Sequence, residues 1–560
     1  MQRDYSAGTW WAALALLLCW IASQLACHDP ADGGSAPCEE HGSRCRAGRI
    51  VQECVDGAWL DVEDCALRGM GCEVLGGHAQ CSSDADADAD GDADAGTELE
   101  AAITFSVRVE PNPNSVLSAI VEAQTSHDCR CHVEFGPDTG YGSSTGSSPR
   151  GRSHRIVVVN MRQQTEYHLR AVARCDTGDT LFDEDRIFIT DSLPLGAPVL
   201  EVVVRQPELM QPGVTVFGKT RGQKGTANLF PYFIGLDAQG EIVWYYHDPA
   251  PPYTTVMSYI SMLEDGNLLL PGPTGLRVVT IGGETVRDIS WSDVSDRFLH
   301  HDAIGLPGGA ILALGSEVRT LDLPWLAEPA QVVGDVLLEI DEDDQVVWQW
   351  SAFDHLDPTR IPLEDSRQPD EDGEIDWTHG NALVYLEADD SILLSMCTQN
   401  WIVKIDRATS EVVWRLGAEG DFSLLDPDPA SDRIWFSTQH APEMHADGRL
   451  VLLDNGTDRG EGNPAFSRAV VFRLDEVLMQ ADITWSHRTD FLVPGLGDAD
   501  LLDNGNVLIN AGNRADDQQP VHVVEVTGAV PAEEVWKLEV EPGYLVYRAQ
   551  RWTSFWPESR

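Results

Sequence analysis

Positive charge is scarce in this 560-residue chain: 38 lysines and arginines stand against 91 aspartates and glutamates, a formal net charge of −53. A field of that sign repels phosphate backbones and excludes nucleic-acid binding. Helical patterning is nearly absent, which points to an all-β chain. The cysteine-rich stretch near the N-terminus has no Cys-x2-Cys pair, which argues against zinc there. What the chain does have is 42% apolar residues, enough for a real core. Its length calls for roughly two to four domains.

Residues Thr9 to Ala26 are almost all apolar and read as an export signal spanning 1–26. The run meets Gln24-Leu25-Ala26-Cys27, a small residue before cysteine, which resembles a bacterial lipoprotein cleavage box. Lipidation at Cys27 would anchor the chain to a membrane of the bacterial cell envelope, and His28 leans that reading towards the outer membrane. A plain transmembrane anchor is the competing reading. Beyond Cys27, the module over 27–81 holds six cysteines in a repeated spacing, Cys38-x6-Cys45-x8-Cys54 and Cys65-x6-Cys72-x8-Cys81. So short a segment with few aliphatics needs disulfides to hold it together. Their connectivity cannot be read from spacing. Residues 82–98 are acidic and low in complexity, and like charges extend them into a spacer. Asp86 to Gly91 resembles the start of a calcium loop, but Thr97 stands where its bidentate glutamate belongs.

Short alternating runs over 99–195 predict a small β-sandwich. Thr165 to Ala171 resembles the tyrosine-corner strand of fibronectin type III domains, and Val133-Glu134-Phe135-Gly136 their third strand. Cys129 or Cys131 is placed to bridge Cys175.

From 197 to 560 the chain repeats itself. An aliphatic-Asp step, a turn, then aliphatics and tryptophan recur, ending at Trp244, Trp291, Trp348, Trp414, Trp485 and Trp536. A turn glycine followed by aliphatics recurs between them, as at Gly266, Gly309, Gly448 and Gly505. Six such copies predict a six-bladed β-propeller, with the tryptophans packing between outer strands. Closure is expected from Val214 to Lys219 pairing with C-terminal strands.

Three histidine segments occupy equivalent places, each before the turn-plus-aliphatic strand expected along the central channel. They are His300-His301-Asp302, His379-Gly380-Asn381 and Gln439-His440-Ala441. Equivalent positions in successive blades converge on the axis, so the register alone predicts a histidine cluster at one mouth. A fourth copy carries Gly497-Asp498-Ala499-Asp500 instead. Three histidines beside an aspartate would also suit metal-dependent hydrolysis.

These segments, with Asp376-Trp377-Thr378, Asp454-Asn455-Gly456, Ser467-Arg468-Ala469 and the ending Tyr547-Arg548-Ala549-x-Arg551, resemble the arylsulfate sulfotransferases. The resemblance implies a six-bladed propeller that moves a sulfuryl group from an aryl sulfate to a phenol, with no cofactor, no metal and no nucleotide sulfate donor. It implies His440 as the nucleophile, forming a sulfohistidine, and His301 as the acid/base. It implies His379 and Asn381 as holders of the sulfuryl oxygens, with His300 nearby. A neutral imidazole is nucleophilic near pH 7, and a second can move the phenolic proton. The chain departs from the family at Cys397, which stands where an arginine is usual. A neutral thiol makes no charge-assisted fork to sulfate. Arg468, Arg548 and Arg551 are the candidates to supply that charge from other blades. Without it, activity would be weak, altered in its donor, or absent, the last leaving an inactive binding or scaffold module at the cell surface. Nothing in the sequence sets the oligomeric state.

Overall fold

The computed structural model describes the backbone of five short strands between Ser43 and Ser82, and residues 103–556 apart from 195, 222–232, 248–258, 273–274, 296, 298, 364, 371–372, 429, 431, 458–464 and 515–517. The expected export signal, Cys27, the spacer and the pairing of the six N-terminal cysteines lie outside the described residues. The chain divides into two compact units, Met1–Ala101 and Ala102–Arg560. In the first, Ser43–Arg46, Ile50–Val55 and Ala58–Asp64 form one antiparallel sheet, and Gly71–Leu75 pairs with His78–Ser82.

The second unit begins with a seven-stranded β-domain built on one long strand, Ala119–Gly136. Its first half pairs with Phe105–Pro111 and Gly151–Val158, its second with Glu166–Cys175. Alternate residues of these strands bury Val121, Val133, Phe135, Ile156 and Leu169 in one core. Tyr167 accepts a backbone hydrogen bond from Arg162 (2.9 Å). Cys129 and Cys175, directly opposite across the strand pair, are disulfide-bonded, and Cys131 is a buried free thiol. The domain packs on the propeller through Arg155 on Glu284 (2.6 and 3.0 Å) and Asn112 on the Gly282 carbonyl (2.9 Å).

Six four-stranded antiparallel blades follow. From the channel outward, blade 1 is Tyr544–Trp552, Val214–Arg221, Phe233–Leu236 and Ile242–Tyr246. Blade 2 is Ser261–Met262, Leu268–Gly272, Gly275–Val279 and Thr285–Ser290. Blade 3 is Ala303–Gly305, Ile311–Leu321, Ala330–Ile340 and Val346–Ser351. Blade 4 is Gly380–Leu386, Ser391–Met396, Trp401–Asp406 and Val412–Gly417. Blade 5 is His440–Met444, Arg449–Asp454, Arg468–Asp475 and Gln480–Arg488. Blade 6 is Asp498–Leu501, Val507–Ala511, Val521–Val526 and Glu534–Val540, with Leu200–Arg205 added at its outer edge. Val214 to Arg221 pairs with Tyr544–Trp552, so blade 1 joins the two ends of the propeller chain and closes the ring.

The turn-plus-aliphatic strands are second in blades 2 to 6 and do not line the channel. Ser391–Met396, for example, is buried on both faces between blades 3 and 5. A continuous aliphatic run is the pattern of a strand covered on both sides. The channel is lined by the shorter strands before them, which the histidine segments themselves begin.

The blade tryptophans act between neighbours. In blade 1, Trp244 donates to Ile281 of blade 2 (3.0 Å), and in blade 3 Trp350 donates to Ser410 of blade 4 (3.1 Å). In blade 5, Trp485 reaches Ala529 of blade 6 (3.3 Å), and Trp536 of blade 6 reaches Ala238 of blade 1 (3.1 Å). In these four blades the indole fills the seam and ties its N–H to the outer hairpin of the next blade; Trp414 of blade 4 packs in the seam with blade 5, but its Nε1 has no hydrogen-bond partner among the described residues. Blade 2 departs from the expected pattern. Trp291 opens a one-turn helix, and Arg287 takes the seam position, bonding Asp344 of blade 3 (2.7 Å).

Candidate active site

The inner strands of blades 3, 4 and 5 begin at the same mouth of the channel, and the residues that turn into them sit in the left-handed region. His301 has φ 58°, His379 φ 45°, Thr438 φ 51° and Ala441 φ 47°. For residues with a Cβ this conformation is costly and concentrates at functional sites. His301 and His379 meet there, and His440 lies within electrostatic reach of both. The rings of His301 and His379 are 4.9 Å apart, those of His300 and His301 are 5.0 Å apart, and Tyr547 from blade 1 lies 6.2 Å from His301.

His440 is 5% exposed. Its Nδ1 faces two oxygens, Asn455 Oδ1 at 2.8 Å and the Thr438 carbonyl at 3.2 Å. Only a protonated Nδ1 satisfies both, so the lone pair is on Nε2, where the Leu496 N–H donates to it (3.3 Å). Burial lowers its pKa to about 4, with the cationic neighbours His379 and Arg548 acting in the same direction against the Asn455 bond. The ring is neutral at physiological pH.

His379 has the opposite charge state. Its Nδ1 bonds the Asp376 carboxylate, and a third of its side chain stays open. Burial opposes the cation, but Asp376 and then Asp335 overcome it and raise the pKa to about 9. Asp335 is itself held by the Gly380 N–H (2.7 Å) and lies 3.4 Å from His300 Nε2. His301 is pushed well below the usual histidine range, first by burial and then by the His379 cation, with Arg548 acting in the same direction. Its Nδ1 lies 2.8 Å from His300 Nδ1, and its Nε2 has no hydrogen-bond partner among the described residues. The cluster therefore holds one cation, His379, beside two neutral rings.

Asn381 is fully buried. Its amide donates to the Gln439 carbonyl (2.7 Å), just before His440, and its own carbonyl receives Arg548 (2.7 Å) and Tyr547 (3.1 Å). It ties three blades together beneath the histidines, and one of its two donors is spent on the protein. Of the three arginines, only Arg548 borders the cluster, and it is paired with Asp302 (3.1 and 3.2 Å). Arg468 is fully buried on Asp454 (2.8 Å) and the carbonyls of Asp432 and Ile434. Arg551 is fully buried on Glu525 (3.1 Å) and Thr215 (3.0 Å). Neither presents its charge at the histidine mouth. Cys397 lies beside the cluster, its N–H on the His379 carbonyl (3.1 Å). Burial, then Asp376, pushes its thiol up to about 12, so it is neither a cation nor a reactive thiolate.

Past Arg548 the channel opens into a cavity of about 670 Å³ lined by Glu387, Glu443, Asp498, Asp500 and Asp503. Burial raises the Asp498 carboxyl to about 7, opposed by the Ala549 N–H and Arg548. Burial, then Asp498 and Glu443, holds the Asp500 carboxyl well above the usual carboxylate range, and Arg548 and Arg551 border the same cavity. Among the described residues no group of three or more His, Cys, Asp and Glu side chains has metal-holding geometry.

A closed six-bladed propeller with a histidine cluster at one mouth defines the class of this protein. Residues 199–548 match the model of the arylsulfotransferase (ASST) family, and the chain belongs to that family. The arylsulfate sulfotransferase AssT of Escherichia coli O6:H1 is 27% identical over 243 residues, covering 33% of this chain and 40% of the relative. The match thus spans less than half of the relative's length. Among solved structures, a Bacteroides caccae protein of unknown function aligns with a TM-score of 0.37 at 11% identity, covering 60% of this chain and 98% of that one. The hydrazine synthase of Kuenenia stuttgartiensis aligns with a TM-score of 0.28 at 11% identity, covering 53% and 69%. At these scores neither likeness bears on the fold or the chemistry.

Proposed function

We infer that the chain transfers a sulfuryl group from a phenolic sulfate ester to a phenol through a sulfohistidine at His440. The observation that carries this reading is the state of the His440 ring: neutral, protonated at Nδ1, its Nε2 lone pair engaged by the Leu496 N–H alone among the described residues, at a long 3.3 Å that the incoming sulfur displaces. In the first half-reaction Nε2 forms a bond to sulfur as the sulfur–aryl oxygen bond breaks. The phenolate departs with the electron pair, and the ring becomes an N-sulfo imidazolium that keeps its Nδ1 proton. Cationic His379 offsets the charge on the sulfuryl oxygens and the departing phenolate. In the second half the acceptor phenol gives its proton to neutral His301, its oxygen attacks sulfur, and the N–S bond returns its electrons to Nε2. The proton on His301 then balances the phenolate released first.

Purified protein incubated with 4-nitrophenyl sulfate tests the reading. Phenol-dependent, chelator-insensitive release of nitrophenol is the expected result. Release that is chelator-sensitive and independent of phenol means a metal hydrolase instead, and no turnover of any aryl sulfate leaves a binding module. Two expectations refine the test. The kcat/KM profile falls below about pH 4, where His440 takes up a proton, and above about pH 9, where His379 loses one. A profile flat from pH 5 to 10 contradicts the assigned charge states. Placing arginine at position 397 restores a fork beside Asp376 and His379 and is expected to raise kcat/KM about tenfold or more. Unchanged or lower kcat/KM means His379 alone already supplies the charge.

A further inference from the structure

We propose that Asn455 is the positioning residue of His440, and that an amide stands there because it orients the ring without charging it. The proposal rests on the reading that His440 accepts the sulfuryl group. Asn455 is fully buried, and both hydrogens of its amide are committed, to the carbonyls of Val493 (3.1 Å) and Leu496 (2.9 Å). The amide therefore cannot turn over, and Oδ1 must face His440 Nδ1. Its main-chain carbonyl is held in turn by the Ser467 hydroxyl (2.6 Å).

The same loop grips the ring from its other side. Leu496, whose carbonyl anchors the amide, donates its N–H to Nε2. Leu496 has φ 61° and the following Gly497 has φ 90°, where a Cβ would sit 2.5 Å from the Asn510 carbonyl. Glycine is the residue that lets this loop lie against the inner strands.

The molecule contains its own comparison. His379 and His440 present the same ring atom, Nδ1, to an oxygen of a short side chain. For His379 the oxygen belongs to a carboxylate, Asp376, and the ring is a cation; for His440 it belongs to an amide, and the ring is neutral. A carboxylate at position 455 would retain a second proton on His440 and remove the lone pair that attacks sulfur. His379 and Arg548 face His440 from the surrounding blades, and both oppose a charged ring.

Asn455→Asp tests this directly. The pH dependence of His440 acylation by diethyl pyrocarbonate, followed by mass spectrometry of its peptide, is measured alongside kcat and KM. The expected result is an acid limb moved up by two or more pH units in both measurements, with KM for 4-nitrophenyl sulfate unchanged. A uniform loss across pH, with the limb where the wild type has it, is what a purely structural residue would give and overturns the proposal. Should Asn455→Asp not fold, Asn455→Ser shortens the side chain beyond reach of Nδ1 and is expected to lower kcat roughly 100-fold at unchanged KM. Wild-type kcat in that variant also overturns it. If the wild type turns over no aryl sulfate, the functional reading fails while the acylation profile still decides the role of Asn455.

Discussion

Replacing His440 by alanine is expected to abolish phenol-dependent nitrophenol release, a fall of about 10⁴-fold or more in kcat. The size follows from the chemistry. Without Nε2 there is no covalent intermediate, and the remaining groups only bind the donor. A sulfuryl adduct on the peptide carrying residue 440, trapped when donor is mixed with wild type in the absence of acceptor, should be missing from the variant. The substitution removes three local hydrogen bonds, to Thr438, Asn455 and Leu496, and leaves the second, aliphatic strand of blade 5 untouched. Far-ultraviolet circular dichroism should therefore be unchanged, which separates lost chemistry from lost fold. Residual phenol-dependent turnover near the wild-type level would move the nucleophile to another group.

The second large effect is on stability. Arg468→Met is expected to cost about 3–5 kcal/mol in urea unfolding, because it strips a buried charge pair of one partner. Both side chains of the Arg468–Asp454 pair are fully buried, and the same arginine closes the 432–434 turn through two carbonyls. Asp454 also takes the Ser437 N–H (3.0 Å), so the pair fixes the approach to His440. The folded fraction should keep the wild-type KM for 4-nitrophenyl sulfate. A raised KM with unchanged stability would instead make Arg468 a ligand of the sulfate.

Much of the architecture was legible in the sequence because each blade must solve the same seam problem. The indoles of Trp244, Trp485 and Trp536 recur because each blade needs a large side chain with one donor at its outer edge. The histidines stood out for the related reason that equivalent positions in a ring face one axis. The strand that lines the channel was misplaced, because a long aliphatic run signals burial on both faces while the inner strand, crowded at the axis, is short and carries little pattern. The ring partners were also hidden. Asp376, three residues before His379, looks like any turn aspartate. Asn455 reaches His440 only because their strands pair with His440 opposite Leu453. The arginines misled for a simpler reason: charge is visible in a sequence, but Asp454, which neutralises Arg468, sits on the adjacent strand, and Glu525, which neutralises Arg551, in the neighbouring blade.

The strand that completes blade 1 is supplied from residues 544–552, and it carries Tyr547 and Arg548 to the histidine cluster. A ribosome that has made everything up to residue 540 has made all three histidines and five of the six inner strands, yet no finished channel. Asp302 then lacks its counter-charge and blade 1 lacks its inner wall. The histidine cluster gains its blade 1 wall only as the last part of the propeller pairs into place, so the proposed sulfuryl transfer is expected only from the finished chain. C-terminal trimming by even a dozen residues before Trp556 would silence it without touching a histidine.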